Sequence, residues 1–255
     1  MSIKTGMANG VATIEIARPE KKNALTQAMY RAMAEAVEAA TADDTIRAIL
    51  IAGQPGIFTS GNDLEDFLAS KPGEGLENSA AMRFMRALIE CDKPVVAAVT
   101  GAAIGIGATM LPHCDFVYVS DEARLAMPFV GLGLVPEFAS SLLMPQLMGA
   151  RRAAEKLLLG EAITAAQAVE CGLANAALPA GEVAGHARRV AERFNDLPPG
   201  AVRQTKRLLR APGREAVYAA IKGENAAFAE RLQSPEAKEA FAAFFEKRKP
   251  DFRKF

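Results

Sequence analysis

From position 94 to position 114 the chain carries no Asp, Glu, Lys or Arg, a run long enough to cross the ~30 Å hydrocarbon core of a bilayer. Glycines at 101, 105 and 107, together with Thr100, Pro112 and His113, interrupt it. Glycines at that density cut the run into a short buried strand, a turn and the start of a helix, which is how a soluble core reads. The fold must therefore be built around an uncharged strand near its centre.

The flanking segments extend this pattern. Residues 11–17 alternate between Gly10 and Arg18-Pro19, as a half-buried strand does. Thr26 caps an Ala-rich helix running to about position 40, with Met29, Met33, Val37 and Ala40 at helical spacing. Residues 48–52 form a continuous apolar strand closed by Gly53-Gln54-Pro55-Gly56, and a loop follows through 58–63. After a Gly/Pro patch at 70–75, a helix over 77–91 leads to a strand at 94–99, a glycine turn with a helix starting near Ile106, and a strand at 115–120. Buried strands alternating with helices give an α/β fold with a mostly parallel sheet and crossover helices.

Beyond position 139 the pattern is helical, over 140–148, 150–159, 164–171, 181–195, 199–209, 215–233 and 235–247. At about 150 residues per domain, 255 residues lie between one domain and two. The division expected is a core over 1–194 and a helical region over 195–255 that covers a neighbouring surface.

Hydrophobic residues at 50% and charged residues at 24% exclude a disordered or fibrous chain. Thirty Lys and Arg balance thirty Asp and Glu, so no overall field draws the molecule to nucleic acid or to an acidic membrane, and an anionic ligand must be met locally. Cys91, Cys114 and Cys171 form no CxxC pair, and with His113 and His186 they give no zinc spacing. No metal site is expected, and three cysteines suit a reducing compartment. Residues 1–10 have no apolar core for a secretory signal, and 252–255 is not an SKL-type address. The setting expected is cytoplasmic.

Gly105-Ile106-Gly107 resembles a dinucleotide-binding turn, but Met110 stands where the third glycine belongs. The same turn has a more general property: a glycine corner opening a helix leaves backbone N–H groups unpaired, and these favour developing negative charge. Ile106 offers one such group, and Phe58-Thr59-Ser60-Gly61-Asn62-Asp63-Leu64 is a second corner. Two corners facing one point make an oxyanion hole; facing apart, they are ordinary turns. Glu137 lies among apolar neighbours in Leu134-Val135-Pro136-Glu137-Phe138-Ala139. Such a carboxyl is either a base of raised pKa or a first-turn Glu complementing a helix dipole.

These features resemble the crotonase (enoyl-CoA hydratase/isomerase) superfamily over nearly the whole chain. The matching text is Arg18-Pro19 with Asn23-Ala24-Leu25, the 58–64 corner, Lys93-Pro94 through Gly101, Ala102 through Gly107, Cys114-Asp115 and Gly131 through Pro136, then Gly160, Ala165, Ala168 and Gly172-Leu173. The resemblance implies a crotonase-type spiral of ββα units and a C-terminal helical trimerisation region. It further implies a homotrimer or dimer of trimers and an acyl-CoA thioester as ligand, with no separate cofactor because CoA is part of the substrate. The oxyanion donors fall on Asn62 and Ile106. Ser60, Gly61, Asp63 and Leu64 fall on the loop that lines the adenine pocket, and Lys22, with Lys21, on partners for the CoA phosphates. Phe67, Met82, Met85 and Met110 are candidate acyl-pocket residues; Phe241, Phe244 and Phe245 are candidate interface groups.

Where a hydratase of this family carries its two glutamates, this sequence has Thr109 and Phe129. Water addition needs one group to activate water and another to protonate carbon, so hydration is disfavoured. Glu137 matches instead the single acid of the Δ3,Δ2-enoyl-CoA isomerases, and Ser60 through Leu64 is similar to the peroxisomal-type members. The expected reaction is transfer of a 3-enoyl-CoA double bond to the 2-position, as in fatty-acid oxidation. Alternatives are a hydratase or other acyl-CoA reaction on the same fold, and a non-catalytic acyl-CoA binder.

Overall fold

The computed structural model describes residues 2–69 and 76–255; the expected Gly/Pro patch at 70–75 lies outside them. The chain opens with a hairpin, β1 (Ile3–Ala8) and β2 (Val11–Ile16), that turns on Asn9 and Gly10 at φ 49° and 68°, as tight hairpins prefer. β1 is absent from the sequence reading because only Ile3 is buried in it, so no alternation marks it. Helix α1 (Gln27–Ala42) follows, with the Thr26 hydroxyl accepting the Met29 N–H.

Three ββα turns then wind up the spiral. The first is β3 (Ala48–Ala52), β4 (Ile57–Thr59), α2 (Leu64–Ala69) and α3 (Ala80–Glu90); the second is β5 (Val95–Val99), β6 (Ala102–Ile104) and α4 (Ile106–Thr109). The third is β7 (Phe116–Ser120), β8 (Arg124–Ala126) and α5 (Ser140–Met148). Next come α6 (Ala150–Leu158), β9 (Ile163–Thr164), α7 (Ala165–Glu170), β10 (Ala176–Leu178) and α8 (Ala180–Glu192). The chain ends in α9 (Pro199–Arg210), α10 (Arg214–Leu232) and α11 (Pro235–Phe245).

Each turn puts its first strand into one sheet and its second into another. The larger sheet has the order β1-β2-β3-β5-β7-β10 and is parallel except at β1; the smaller is β4-β6-β8-β9, antiparallel only at β9. The stretch expected as a loop at 58–63 begins as β4, and the glycine turn holds β6; three residues are too few for a periodic signal. Between β5 and β6 the chain crosses sheets at Gly101, φ 70°, where a Cβ would sit 1.9 Å from the Gly56 carbonyl oxygen. Only glycine fits there.

The uncharged run is explained by β5, buried at every residue. Val95, Ala97 and Val99 join the main hydrophobic cluster, while Val96 and Ala98 pack into a second one with Val183, Ala187 and Ala191 of α8. No helix among the described residues is long and apolar enough to cross a membrane. The C-terminal helices enter the main cluster through Ile221, Phe228, Ala237 and Phe241. Phe241 is therefore buried within the chain, contrary to its expected interface position, whereas Phe244 and Phe245 are exposed.

Candidate active site

The site is built from the hinge between β2 and α1. Buried Asn23, at φ 57°, accepts the Arg18 N–H at 2.7 Å and directs its amide toward the carbonyls of Ile16, Ile57 and Phe58 at 3.0–3.1 Å. It thereby ties the end of β2 to β4. Two residues on, the Leu25 N–H donates to the Gly61 carbonyl at 2.8 Å and the Asp63 N–H donates to the Leu25 carbonyl at 2.9 Å. In such a parallel bridge the groups of the intervening residue face the other way. The Asn62 N–H is thus turned away from Leu25, and no described residue accepts it.

The second corner follows β6, the parallel neighbour of β4. Gly105, φ 57°, precedes Ile106, the first residue of α4, whose N–H also lacks an acceptor among the described residues. The two corners touch: a Cβ on Gly61 would lie 3.1 Å from the Ile104 carbonyl oxygen and one on Gly105 would lie 3.9 Å from the Gly61 Cα. Both line one cavity of about 940 Å³.

Glu137 lines the same cavity. The residue is half-buried, but its Oε1 is fully buried and meets no hydrogen-bond donor. Burial first, and the Glu224 carboxylate second, push its pKa up to about 8. Glu137 is not in a helix, as one sequence alternative had it; α5 begins at Ser140, and Phe138 and Ala139 between them adopt φ 57° and 58°. Left-handed conformation costs a non-glycine residue about 1–2 kcal/mol, so the turn needs support. The N–H and hydroxyl of Ser140 donate to the Glu137 carbonyl at 3.1 and 2.6 Å. His113 stacks on Phe138 at 3.9 Å and places Nε2 2.9 Å from its carbonyl oxygen. Burial brings the His113 pKa down to about 4, so it is neutral and donates that bond. The expectation of a packed rather than catalytic His113 holds in this geometry.

The expected ligand-loop residues Lys22, Ser60, Gly61, Asp63 and Leu64 line the cavity with Asn62, Ile106 and Glu137. The Ser60 N–H donates to the Lys22 carbonyl at 3.1 Å. Asp63 pairs with Arg18 at 2.7 Å and accepts the N–H groups of Glu65 and Asp66 in the first turn of α2. Burial pulls its pKa upward, but the Arg18 hydrogen bond and the helix N–H groups outweigh that and hold it below the ordinary value. Phe67 and Phe129 wall the cavity; Met82, Met85 and Met110 pack into the core.

Four contributors lie beyond the sequence reading. Phe228 of α10 closes the wall edge-on against Phe67, and exposed Lys247 joins Lys21 and Lys22 at the rim. The buried Tyr30 hydroxyl donates to Asn62 Oδ1; burial, then Glu137, raise its pKa well above the ordinary tyrosine value, so it stays protonated. Glu224 reaches the site from α10. Their positions are far apart along the chain, and only Tyr30 had a signal, its place on the buried face of α1.

At the hydratase carboxylate positions, Thr109 is fully buried with Oγ1 unpartnered and Phe129 is buried in the wall. No described group of three or more His, Cys, Asp or Glu residues is arranged to hold a metal ion.

Comparison with known proteins agrees with this architecture. Residues 6–254 match the sequence family described as "Enoyl-CoA hydratase/isomerase". Enoyl-CoA delta isomerase 2 of Rattus norvegicus is 36% identical over 239 residues, covering 92% of this chain and 61% of the relative. The chain thus spans about three fifths of that relative's length. A probable enoyl-CoA hydratase of Bacillus subtilis is 30% identical over 246 residues, covering 95% of both. The structure of Pseudomonas aeruginosa OdaA superposes with a TM-score of 0.92 at 50% identity, covering 95% of this chain and 98% of that one. Similarity over nearly its whole length, on a spiral with two unpaired corner amides, makes this chain a member of the enoyl-CoA hydratase/isomerase family.

Proposed function

We propose that the chain shifts the double bond of a 3-enoyl-CoA to the 2-position with Glu137 as its single base. The observation that carries this is the inventory of carboxyls lining the cavity. Glu20 and Glu65 are exposed, Asp63 is committed to Arg18, and of the described carboxyls lining this cavity Glu137 alone presents a buried, unpartnered oxygen. One base suffices for a 1,3 shift: carboxylate Glu137 takes a C2 proton, the electrons move into the thioester as a dienolate, and the protonated Glu137 returns the proton at C4. The dienolate oxygen rests on the N–H groups of Asn62 and Ile106, an arrangement worth about 3 kcal/mol per donor in acyl-transfer enzymes. The cycle balances without oxidant, reductant or separate cofactor. A pKa of about 8 suits a group that must both accept and return a proton near neutrality.

The rim lysines Lys21, Lys22 and Lys247 give a CoA phosphate its local cations in a chain of zero net charge. Thr109 and Phe129 offer no carboxylate to activate water, which favours isomerisation over hydration. The test is product analysis. A 3-enoyl-CoA converted to the conjugated 2-enoyl-CoA, with turnover lost by about 10²–10⁴-fold in Glu137→Gln and acyl-CoA binding retained, supports the assignment. A 3-hydroxyacyl-CoA formed from a 2-enoyl-CoA makes the chain a hydratase, and binding without turnover makes it a binder; either result refutes the isomerase.

A further inference from the structure

Glu224 is a buried carboxylate, 7% exposed, on α10. No lysine or arginine among the described residues pairs with it. Its oxygens are taken up by one short segment: Oε2 accepts the Ala139 N–H at 2.6 Å, and Oε1 accepts the Ser141 N–H at 2.9 Å and the Ser141 hydroxyl at 2.5 Å. These groups belong to the N-terminus of α5, where a carboxylate complements the helix dipole, and α5 itself has no side-chain cap from its own N-cap residue. Ala139 is also the second of the two left-handed residues that follow Glu137.

We infer that Glu224 is a positioning residue for Glu137, its carboxylate clamping the left-handed Phe138–Ala139 turn and so fixing where the Glu137 carboxyl sits in the cavity. The inference rests on the reading of Glu137 as the base. A buried charge without a cation is costly unless fully hydrogen-bonded, and here every bond offsetting that cost is made to the turn beside Glu137. The clamp also acts through space, because a negative neighbour keeps a proton on Glu137. The other groups facing Glu137 do not compete for this role. Tyr30 from α1 stays protonated, and His113 behind Phe138 is neutral. The remaining charges lining the cavity are Lys21, Lys22, Lys247, Glu20, Glu65 and the Arg18-bound Asp63.

The experiment compares wild type, Glu137→Gln, Glu224→Gln and the double variant Glu224→Gln/Ala139→Gly. Isomerisation of a 3-enoyl-CoA is followed against pH, and the Kd is measured for a saturated acyl-CoA that cannot react. Glu224→Gln is expected to lower kcat by about 10²-fold, the effect of misplacing a reacting group by about 1 Å, with KM and Kd held. The acid limb of its kcat/KM profile moves to lower pH, because a negative neighbour is gone. The added glycine, which takes a left-handed turn without strain, is expected to restore much of kcat while the limb stays shifted. Wild-type kcat with an unmoved limb in Glu224→Gln, or loss of acyl-CoA binding together with kcat, overturns the inference. If Glu224→Gln alone does not fold, the double variant decides, and failure of glycine to restore a folded, active enzyme also overturns it. Retained turnover in Glu137→Gln refutes the base and with it this role; a dead Glu137→Gln beside an unaffected Glu224→Gln refutes the role alone.

Discussion

Replacing Glu137 by glutamine is expected to stabilise the folded protein while it removes the proposed base. The unfolded carboxyl titrates at 4.5 and the folded one at about 8. Between these values the unfolded chain has released the proton and the folded chain still holds it, so folding stability falls as pH rises, by about 1.36 kcal/mol per pH unit. The contribution of Glu137 is fully present below pH 4.5 and lost as pH climbs through about 8. Glutamine imitates the protonated acid in shape and never ionises. The variant is therefore expected to match wild type at pH 4.5 and to exceed it by about 3 kcal/mol at pH 7. At roughly 2–4 °C per kcal/mol for a chain of this size, that is about 6–12 °C in Tm. Urea titrations of both proteins at one protein concentration, at pH 5, 6, 7 and 8, measure the gap. A gap that does not widen with pH refutes the argument, because a constant offset reports only on glutamine packing.

Further outcomes follow from the same geometry. The kcat/KM of wild type for a 3-enoyl-CoA is expected to rise about tenfold per pH unit below a plateau near pH 8, since only the ionised Glu137 removes the proton; a plateau already reached at pH 5 contradicts the raised pKa. Asn23→Ala withdraws the amide donor shared by the carbonyls of Ile16, Ile57 and Phe58, of which Ile57 keeps the Gln54 N–H; a buried carbonyl losing its donor costs about 1–3 kcal/mol, and a urea midpoint within error of wild type would refute that role. Gly101→Ala forces a Cβ to 1.9 Å from the Gly56 oxygen at positive φ, a loss of more than about 4 kcal/mol, read as failure to yield soluble protein. Tyr30→Phe leaves Asn62 Oδ1 without its donor, and a stability loss of about 1–3 kcal/mol is expected in thermal denaturation.

What the sequence makes legible here follows from how far each signal reaches along the chain. Strands β3, β5 and β7 announce themselves because burial on both faces demands continuous apolar runs, and α1 through its Thr26 cap and helical spacing. β6, β8 and β9 have three residues or fewer and are held by pairing with strands distant in sequence. At the site, the two corners are readable as glycine turns and Glu137 as an odd carboxyl among apolar neighbours. That they share one cavity depends on the parallel pairing of β4 with β6, which leaves no local trace. Glu224 looks like any charged residue of an amphipathic helix; its burial arises only where α10 meets α5.

Peptide bonds cannot be deleted by a codon change. If the negative charge of the reaction is carried by the main chain at positions 62 and 106, mutation at either codon to anything but proline, which has no N–H, swaps the side chain and leaves the donor in place. The vulnerable genetic targets are instead the glycines that shape the corners, Gly61 and Gly105, at φ 92° and 57°. New chemistry on this scaffold is reached most directly by redistributing carboxyls among 109, 129 and 137, with the charge-bearing apparatus inherited intact.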